Sequence, residues 1–278
     1  MSSKIGINLM VWSGQIGTRA LRLLPSIAAM GYDGVELPIF DATNVDVATI
    51  RRTLSDSGLQ CTVSTALPDG LNLIDPEVAR RGVDWLSSIV LTAAALGSDV
   101  VCGPMATPVG ELRGRGYTAA EWACCVASLR EVSAVANDVG VRLAFEALNR
   151  FETFFLNTIE DGVRLAQDVD NSAFGLLLDT FHMHIEEKSS ADAVRNAADH
   201  LVHFHASEND RGIVGSGQVA WSQVFHALHD VQYSDWIVVE SFNAVIPDLA
   251  GATCVWRPLA ASPEELAQAS LAFLRQNI

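Results

Sequence analysis

The chain repeats one pattern along its whole length, a short apolar run followed by a longer amphipathic segment. The apolar runs predict eight strands, at residues 4–12, 34–38, 60–66, 99–103, 141–146, 174–179, 200–205 and 236–240. The amphipathic segments predict helices at residues 18–30, 46–57, 76–96, 118–139, 158–169, 190–198, 221–231 and 263–276. Strands that alternate with helices pair in parallel, so eight such units predict a single α/β domain over residues 1–278, folded as a (β/α)8 TIM barrel. The alternative is a doubly wound open sheet, but no Gly-x-Gly-x-x-Gly sequence follows the first strand.

Charge narrows the classes of partner. The chain has 18 basic and 33 acidic residues, a formal net charge of −15, and no run of Lys or Arg. Nucleic acids and anionic membranes attract basic patches, so neither is an expected partner. No stretch approaches the roughly 18 apolar residues of a membrane span. The N-terminus also lacks the pattern of a secretory signal, so we expect a cytoplasmic protein.

The five cysteines point to no disulfide framework and no zinc ribbon, because their number is odd and no Cys-x-x-Cys spacing occurs. Cys61 and Cys102 lie in apolar predicted strands. We expect both to be buried thiols.

Ionisable residues stand at the ends of four consecutive predicted strands: Glu146, Asp179, His205 and Glu240. In a TIM barrel these ends meet at the rim that carries active sites. Three carboxylates and an imidazole at one place predict a divalent cation, and the oxygen-rich set favours Mn²⁺, Mg²⁺ or Co²⁺ over structural zinc. Each residue also has another explanation, which for Glu146 is a pair with Arg150 in a surface loop. Asp179 can cap the next helix, His205 can be a core histidine, and Glu240 can pair with a barrel lysine or arginine.

Further polar residues follow these strand ends. Glu152, His182 and Arg211 lie just beyond the fifth, sixth and seventh strands and are candidates to reach the same rim. Nearby His184 is expected either at the surface or behind the residues that form the site, and Glu208 and Asp210 are expected to be solvated loop charges.

Three residues in other parts of the chain leave alternatives open. Glu36, at the end of the second predicted strand, is either a carboxylate that supports the site or one that pairs with a helix. Trp12 and Trp256 are candidates for an apolar wall of the site, although ordinary core packing is the preferred interpretation for both.

Four segments together resemble the ketose 3-epimerases, the D-tagatose and D-psicose 3-epimerase family of xylose-isomerase-like TIM barrels. They are EALNRFETFFLNT, LDTFHMHIEE, HFHASENDRG and VVESF. The resemblance implies one divalent ion, commonly Mn²⁺ or Co²⁺, bound by Glu146, Asp179, His205 and Glu240. It implies that Glu146 and Glu240 are also the catalytic acid and base. It further implies that Glu152, His182 and Arg211 hold the C1–C2 end of a sugar, and that the protein is a homodimer or homotetramer.

The first half of the chain departs from the family pattern. Ser64, a candidate substrate contact, stands where the family often has cysteine, and Asn8 stands where an aromatic residue is frequent. The loop after the fourth predicted strand lacks the aromatic residues often found there. These differences affect the far end of the pocket, so they bear on the identity of the sugar.

The chemistry implied by the resemblance is inversion at C3 of a free ketose through a cis-enediolate, with the two glutamates on opposite faces. A related sugar isomerase or dehydratase, resembling hydroxypyruvate isomerase or inosose dehydratase, is the alternative. A sugar-binding barrel without turnover is another. A DNA-repair endonuclease of the same superfamily would need a basic groove, which the charge balance opposes.

Overall fold

The computed structural model describes residues 3–242 and 244–278, and in this part of the chain the predicted barrel is confirmed. Its eight parallel strands close in sequence order, β1 pairing with both β2 and β8. The strands are β1 (Lys4–Asn8), β2 (Gly34–Pro38), β3 (Gln60–Ser64), β4 (Val100–Gly103), β5 (Arg142–Glu146), β6 (Phe174–Asp179), β7 (Leu201–Ala206) and β8 (Trp236–Val239).

The helices connect the strands and cover the barrel. They are α1 (Thr18–Leu21), α2 (Leu24–Met30), α3 (Val47–Ser57), α4 (Ala79–Leu96), α5 (Ala119–Asp138), α6 (Ile159–Val169), α7 (Thr180–Glu186), α8 (Ser190–Asn196), α9 (Trp221–Asp230), α10 (Pro247–Thr253) and α11 (Pro263–Asn277). No helix in the described part of the chain is both long and apolar enough to span a membrane.

Local polar chemistry explains the clearest departures from the predicted elements. The first strand ends at Asn8, because the Asn8 side chain accepts a hydrogen bond from the Met10 amide (2.9 Å) and starts a 3₁₀ turn. The helix predicted at residues 18–30 is divided into α1 and α2, and Pro25 lies in the first turn of the second. Helices α7 and α10 were not predicted.

Two hydrophobic clusters lie on opposite faces of the sheet. The larger one packs the strands against the helices. The smaller one consists of Val100, Cys102, Ala144, Leu177 and Val202. Val100 and Cys102 alternate with Val101 of the larger cluster, so the smaller cluster faces the barrel interior. Cys61 and Cys102 are buried free thiols, as predicted.

Glycine is required where β3 and β4 approach at their carboxyl ends. Gly103 has φ +129°, and a Cβ there would lie 2.0 Å from the carbonyl oxygen of Thr65. No larger residue fits this close approach without movement of the backbone.

The start of α5 is fixed by a capping box. The Thr118 hydroxyl accepts from the amide of Glu121 (3.2 Å), and the Glu121 carboxylate accepts from the amide of Thr118 (2.7 Å). Arg115 and Arg113 also donate to Glu121. The hydrogen bonds from Arg115 lead the effects that hold the pKa of Glu121 well below its usual value.

Candidate active site

The structure brings Glu146, Asp179, His205 and Glu240 together at the carboxyl-terminal rim of the barrel. One ligand-type atom from each lies within 4.8 Å of the corresponding atoms of the others, and all four side chains are buried. They come from the ends of β5, β6, β7 and β8, which neighbour one another in the sheet. Parallel strands present their carboxyl ends to one rim, and this is why four residues distant in sequence converge.

Arg211 compensates part of this negative charge. Its Nη1 donates to Asp179 Oδ2 (2.8 Å) and to Glu240 Oε2 (2.8 Å). Its guanidinium lies 4.0 Å from the ring centroid of Phe181. The backbone of Arg211 is left-handed (φ +63°), and the Ser241 hydroxyl donates to its carbonyl oxygen (2.6 Å). The arginine is therefore held in one position.

Two of the sequence alternatives are realised alongside this convergence. Asp179 caps α7, accepting from the amide of Phe181 (2.6 Å), and Glu240 pairs with Arg211. The cap uses only Oδ1 of Asp179, and the pair with Arg211 uses only Oε2 of Glu240. The other oxygen of each carboxylate still faces His205.

The buried carboxyl groups differ in their proton affinity. Burial raises the pKa of Glu146 well above its usual value, and the negative charges of Glu240 and Asp179 raise it further. Burial also acts to raise the pKa of Asp179, but the Arg211 charge and the nearby His205 ring outweigh it and hold this pKa well below its usual value.

Two buried atoms of the group have no hydrogen-bond partner. Over residues 3–242 and 244–278, four buried side-chain atoms lack one, and Glu146 Oε1 and His205 Nδ1 are two of them. His205 Nδ1 lies 3.4 Å from Glu240 Oε1 and 3.7 Å from Asp179 Oδ2. Unpartnered buried polar atoms are costly, and a cation would satisfy both. Carboxylate oxygens with one imidazole nitrogen therefore fit a hard or borderline divalent ion.

A second polar group joins Glu152, His182 and Asn149. The Asn149 amide donates to His182 Nδ1 (3.0 Å), and Asn149 Nδ2 donates to Glu152 Oε1 (2.8 Å). Burial is the main cause that lowers the pKa of His182 to about 3, so its ring is neutral. Because Nδ1 accepts a hydrogen bond from a backbone amide, the proton of the neutral ring is on Nε2, which lies 3.4 Å from Glu146 Oε1.

These residues open onto a cavity of about 720 Å³. Glu146, Glu152, His182, His205, Arg211 and Glu240 all line it. Its outer wall is mainly apolar and includes Met10, Trp12, Phe40, Leu67, Val109, Phe242, Ile246 and Leu249. A mostly apolar wall with a few convergent polar groups is typical of a small-molecule site.

The structure shows which of Ser64, Trp12 and Trp256 reach the cavity. Ser64 lines the cavity, and its hydroxyl accepts from Asn8 Nδ2 (3.2 Å). Trp12 is buried and also lines the cavity. The prediction that Trp256 packs in the core was wrong, because this side chain is 74% exposed.

The prediction that Glu208 is solvated was wrong. It is buried, and its two oxygens accept from the amides of Asn209, Gly215 and Val219 and from the indole nitrogen of Trp221 (2.8–3.1 Å). These four donors hold the loop that carries Arg211. Asp210 and His184 are exposed, as predicted.

The position of Glu36 decides between its two interpretations. Its carboxylate lies inside the barrel and contacts His203 and His205 (2.8 and 2.9 Å), so pairing with a helix was wrong.

A closed parallel barrel with buried ionisable residues and a cavity at its carboxyl-terminal rim defines an enzyme of the TIM-barrel class. The xylose isomerase-like TIM barrel family model matches residues 24–277. An L-ribulose 3-epimerase of Mesorhizobium japonicum is 35% identical, covering 98% of this chain and 93% of its own. A ketose 3-epimerase of Arthrobacter globiformis is 32% identical, covering 99% and 96%. The crystal structure of D-allulose 3-epimerase from Methylomonas sp. in complex with D-allulose has a TM-score of 0.95 and 31% identity, covering 100% and 98%. The chain belongs to the xylose isomerase-like TIM barrel family and, within it, to the ketose 3-epimerases. As a member of this family, it is an isomerase.

Proposed function

We propose that the protein inverts C3 of a free ketose, with Glu146 and Glu240 as the proton-transfer pair. The observation that carries this proposal is the placement of these two buried carboxyl groups at the carboxyl ends of β5 and β8, separated by β6 and β7 and lining one cavity. Inversion removes a proton on one face of the carbon and returns it on the other. Two carboxyl groups on different strands can approach a bound sugar from two sides.

The same proposal assigns Glu146, Asp179, His205 and Glu240 as the ligands of one divalent cation, Mn²⁺ in the first place and Co²⁺ or Mg²⁺ as alternatives. Support comes from the two unpartnered buried atoms and from the oxygen-rich set. When bound, such an ion supplies Lewis-acid polarisation of the ketose carbonyl and orients the sugar.

Donors in the wall of the cavity suit the C1–C2 end of the substrate. The His182 ring is neutral and carries its proton on Nε2, so it donates to an oxygen that gains negative charge. Arg211 supplies a fixed positive charge beside it, its Nη2 lying 3.2 Å from His182 Nε2. The Glu152 carboxylate, held by Asn149, accepts from a sugar hydroxyl, and Ser64 contacts the far end of the ketose.

Metal removal tests the assignment of the cation. We expect an EDTA-treated preparation to lose ketose interconversion, and added Mn²⁺ or Co²⁺ to restore it. A stripped preparation that keeps the full rate would contradict the proposal.

Replacing one carboxyl tests the proton-transfer pair. We expect Glu240→Gln to fold and to lose turnover, because the amide cannot take up the proton. Reaction in ²H₂O should place deuterium at C3 of the product with inversion. Formation of an aldose or loss of water would instead favour the isomerase or dehydratase chemistry of related barrels.

Assembly, domain organisation and location complete the proposal. We propose that residues 1–278 act as one domain, in the cytoplasm, within a homodimer or homotetramer. Light scattering on the purified protein measures the assembly, and a monomer at assay concentration would contradict it.

A further inference from the structure

Glu36 lies inside the barrel below the proposed ion site and has 0% exposure. It collects hydrogen-bonding side chains from four other strands. Oε1 contacts Asn8 Nδ2 (2.8 Å) and His205 Nε2 (2.9 Å). Oε2 contacts Thr62 Oγ1 (2.9 Å), Cys102 Sγ (3.2 Å) and His203 Nε2 (2.8 Å). A buried carboxylate is costly unless it is well compensated, and here both oxygens are used.

A second ion is not the explanation for this group. Glu36, Cys102, His203 and His205 offer four ligand-type atoms within 4.8 Å of one another. However, Glu36 is in direct hydrogen-bonding contact with Cys102 and with both imidazoles, so its oxygens are already satisfied. The unpartnered Glu146 Oε1 and His205 Nδ1 belong to the group at the rim. The unpartnered His203 Nδ1 is the ring nitrogen that does not contact Glu36.

His205 connects the two groups through its two ring nitrogens. Nε2 faces Glu36 Oε1, whereas Nδ1 faces Glu240 and Asp179 without a hydrogen bond. An ionised carboxylate only accepts hydrogen bonds, so the contact with Glu36 places a ring proton on Nε2. In the neutral imidazole the lone pair is then on Nδ1, directed to the rim.

We propose that Glu36 is a positioning residue that orients His205 and fixes its Nε2–H tautomer, so that Nδ1 is available to the cation. The inference rests on the proposed function, because it takes His205 as a ligand. Carboxylates that hold a ligating histidine typically change metal affinity about 10–100-fold when they are removed. Glu36→Gln keeps the size of the side chain but replaces one acceptor oxygen with a donor NH₂, so it satisfies only part of the same network.

Thr62→Val is the matched control, because it removes a different hydrogen bond to the same carboxylate and leaves the contact with His205 in place. Mn²⁺ affinity is measured by calorimetry on the metal-stripped wild type and both variants, together with their melting temperatures. The visible spectrum of Co²⁺-loaded protein reports on the ligand set independently of turnover.

We expect Glu36→Gln to weaken Mn²⁺ binding about 10–100-fold and to alter the Co²⁺ spectrum, while Thr62→Val changes neither. If Glu36→Gln does not fold, Glu36→Asp takes its place, since the shorter carboxylate retracts from His205 and should weaken binding as well. Wild-type affinity in the Glu36 variant, or equal weakening in both variants, would overturn the inference and leave the proposed ion site intact. Failure of the wild type itself to bind Mn²⁺ would overturn the ion site and this inference together.

Discussion

Replacement of Arg211 by methionine tests whether the buried charges at the rim depend on this guanidinium. Arg211 is buried and donates to both Asp179 and Glu240 at 2.8 Å. Methionine fills similar space but carries no charge, so both carboxylates would remain beside Glu146 without their cation. Removing one partner of a buried ion pair costs about 3–5 kcal/mol.

For a chain of 278 residues, that cost corresponds to a fall in melting temperature of roughly 5–9 °C. The assay is thermal unfolding of the metal-stripped protein, followed by circular dichroism. The matched control is Arg257→Met, which removes an exposed arginine paired with Asp210 at 3.4 Å. An exposed pair contributes about 0–1 kcal/mol, so the control should unfold near the wild-type temperature.

Added Mn²⁺ provides a second arm. Since a cation at the rim also compensates the carboxylates, we expect Mn²⁺ to raise the melting temperature of Arg211→Met more than that of the wild type. A metal-free Arg211→Met protein that unfolds no earlier than the Arg257→Met control would refute the reasoning.

Three further predictions concern other parts of the chain. The pKa of Glu121 in the folded protein lies below its ordinary value of 4.5, so the contribution of this carboxylate to folding stability is complete above pH 4.5 and is lost as the pH falls. The melting temperatures of wild type and Glu121→Gln should therefore differ at pH 7 and converge towards pH 3. A constant difference between them would contradict this. Asn149→Ala removes the bond that orients Glu152, and we expect kcat/KM for the ketose to fall about tenfold with unchanged Mn²⁺ affinity; normal kinetics would show that Glu152 needs no such support. Gly103→Ala forces a Cβ against the Thr65 carbonyl and should cost about 3 kcal/mol, measured by thermal unfolding; an unchanged melting temperature would mean that the strand ends can separate.

The sequence was sufficient for the barrel because each strand and helix has its own local pattern. Strands β2 and β6 have the predicted bounds, and the residues at the ends of β5 to β8 converge as the parallel arrangement requires. Local pattern does not report partners that are far apart in sequence. Glu36 meets His205 across 169 positions only because the barrel closes.

The error at Glu208 has a related cause. Three of its four donors lie in the loop after β7, which has no repeating hydrophobic pattern, and the fourth is Trp221 at the start of α9. A carboxylate in such a loop is normally solvated, and only the folded loop turns backbone amides towards it. The exposure of Trp256 could not be predicted from the sequence either, because a hydrophobic residue is not always a core residue.

The Glu208 carboxylate has a consequence for the route by which a sugar reaches the barrel. A loop held by four hydrogen bonds to one buried carboxylate resists displacement, so we expect the part of the mouth formed after β7 to stay in place during turnover. The rest of the mouth, built from the segments after β1 to β4 and from α10, supplies none of these four donors. We therefore expect entry and release of the ketose, and any gating step that limits them, at that remaining part of the mouth.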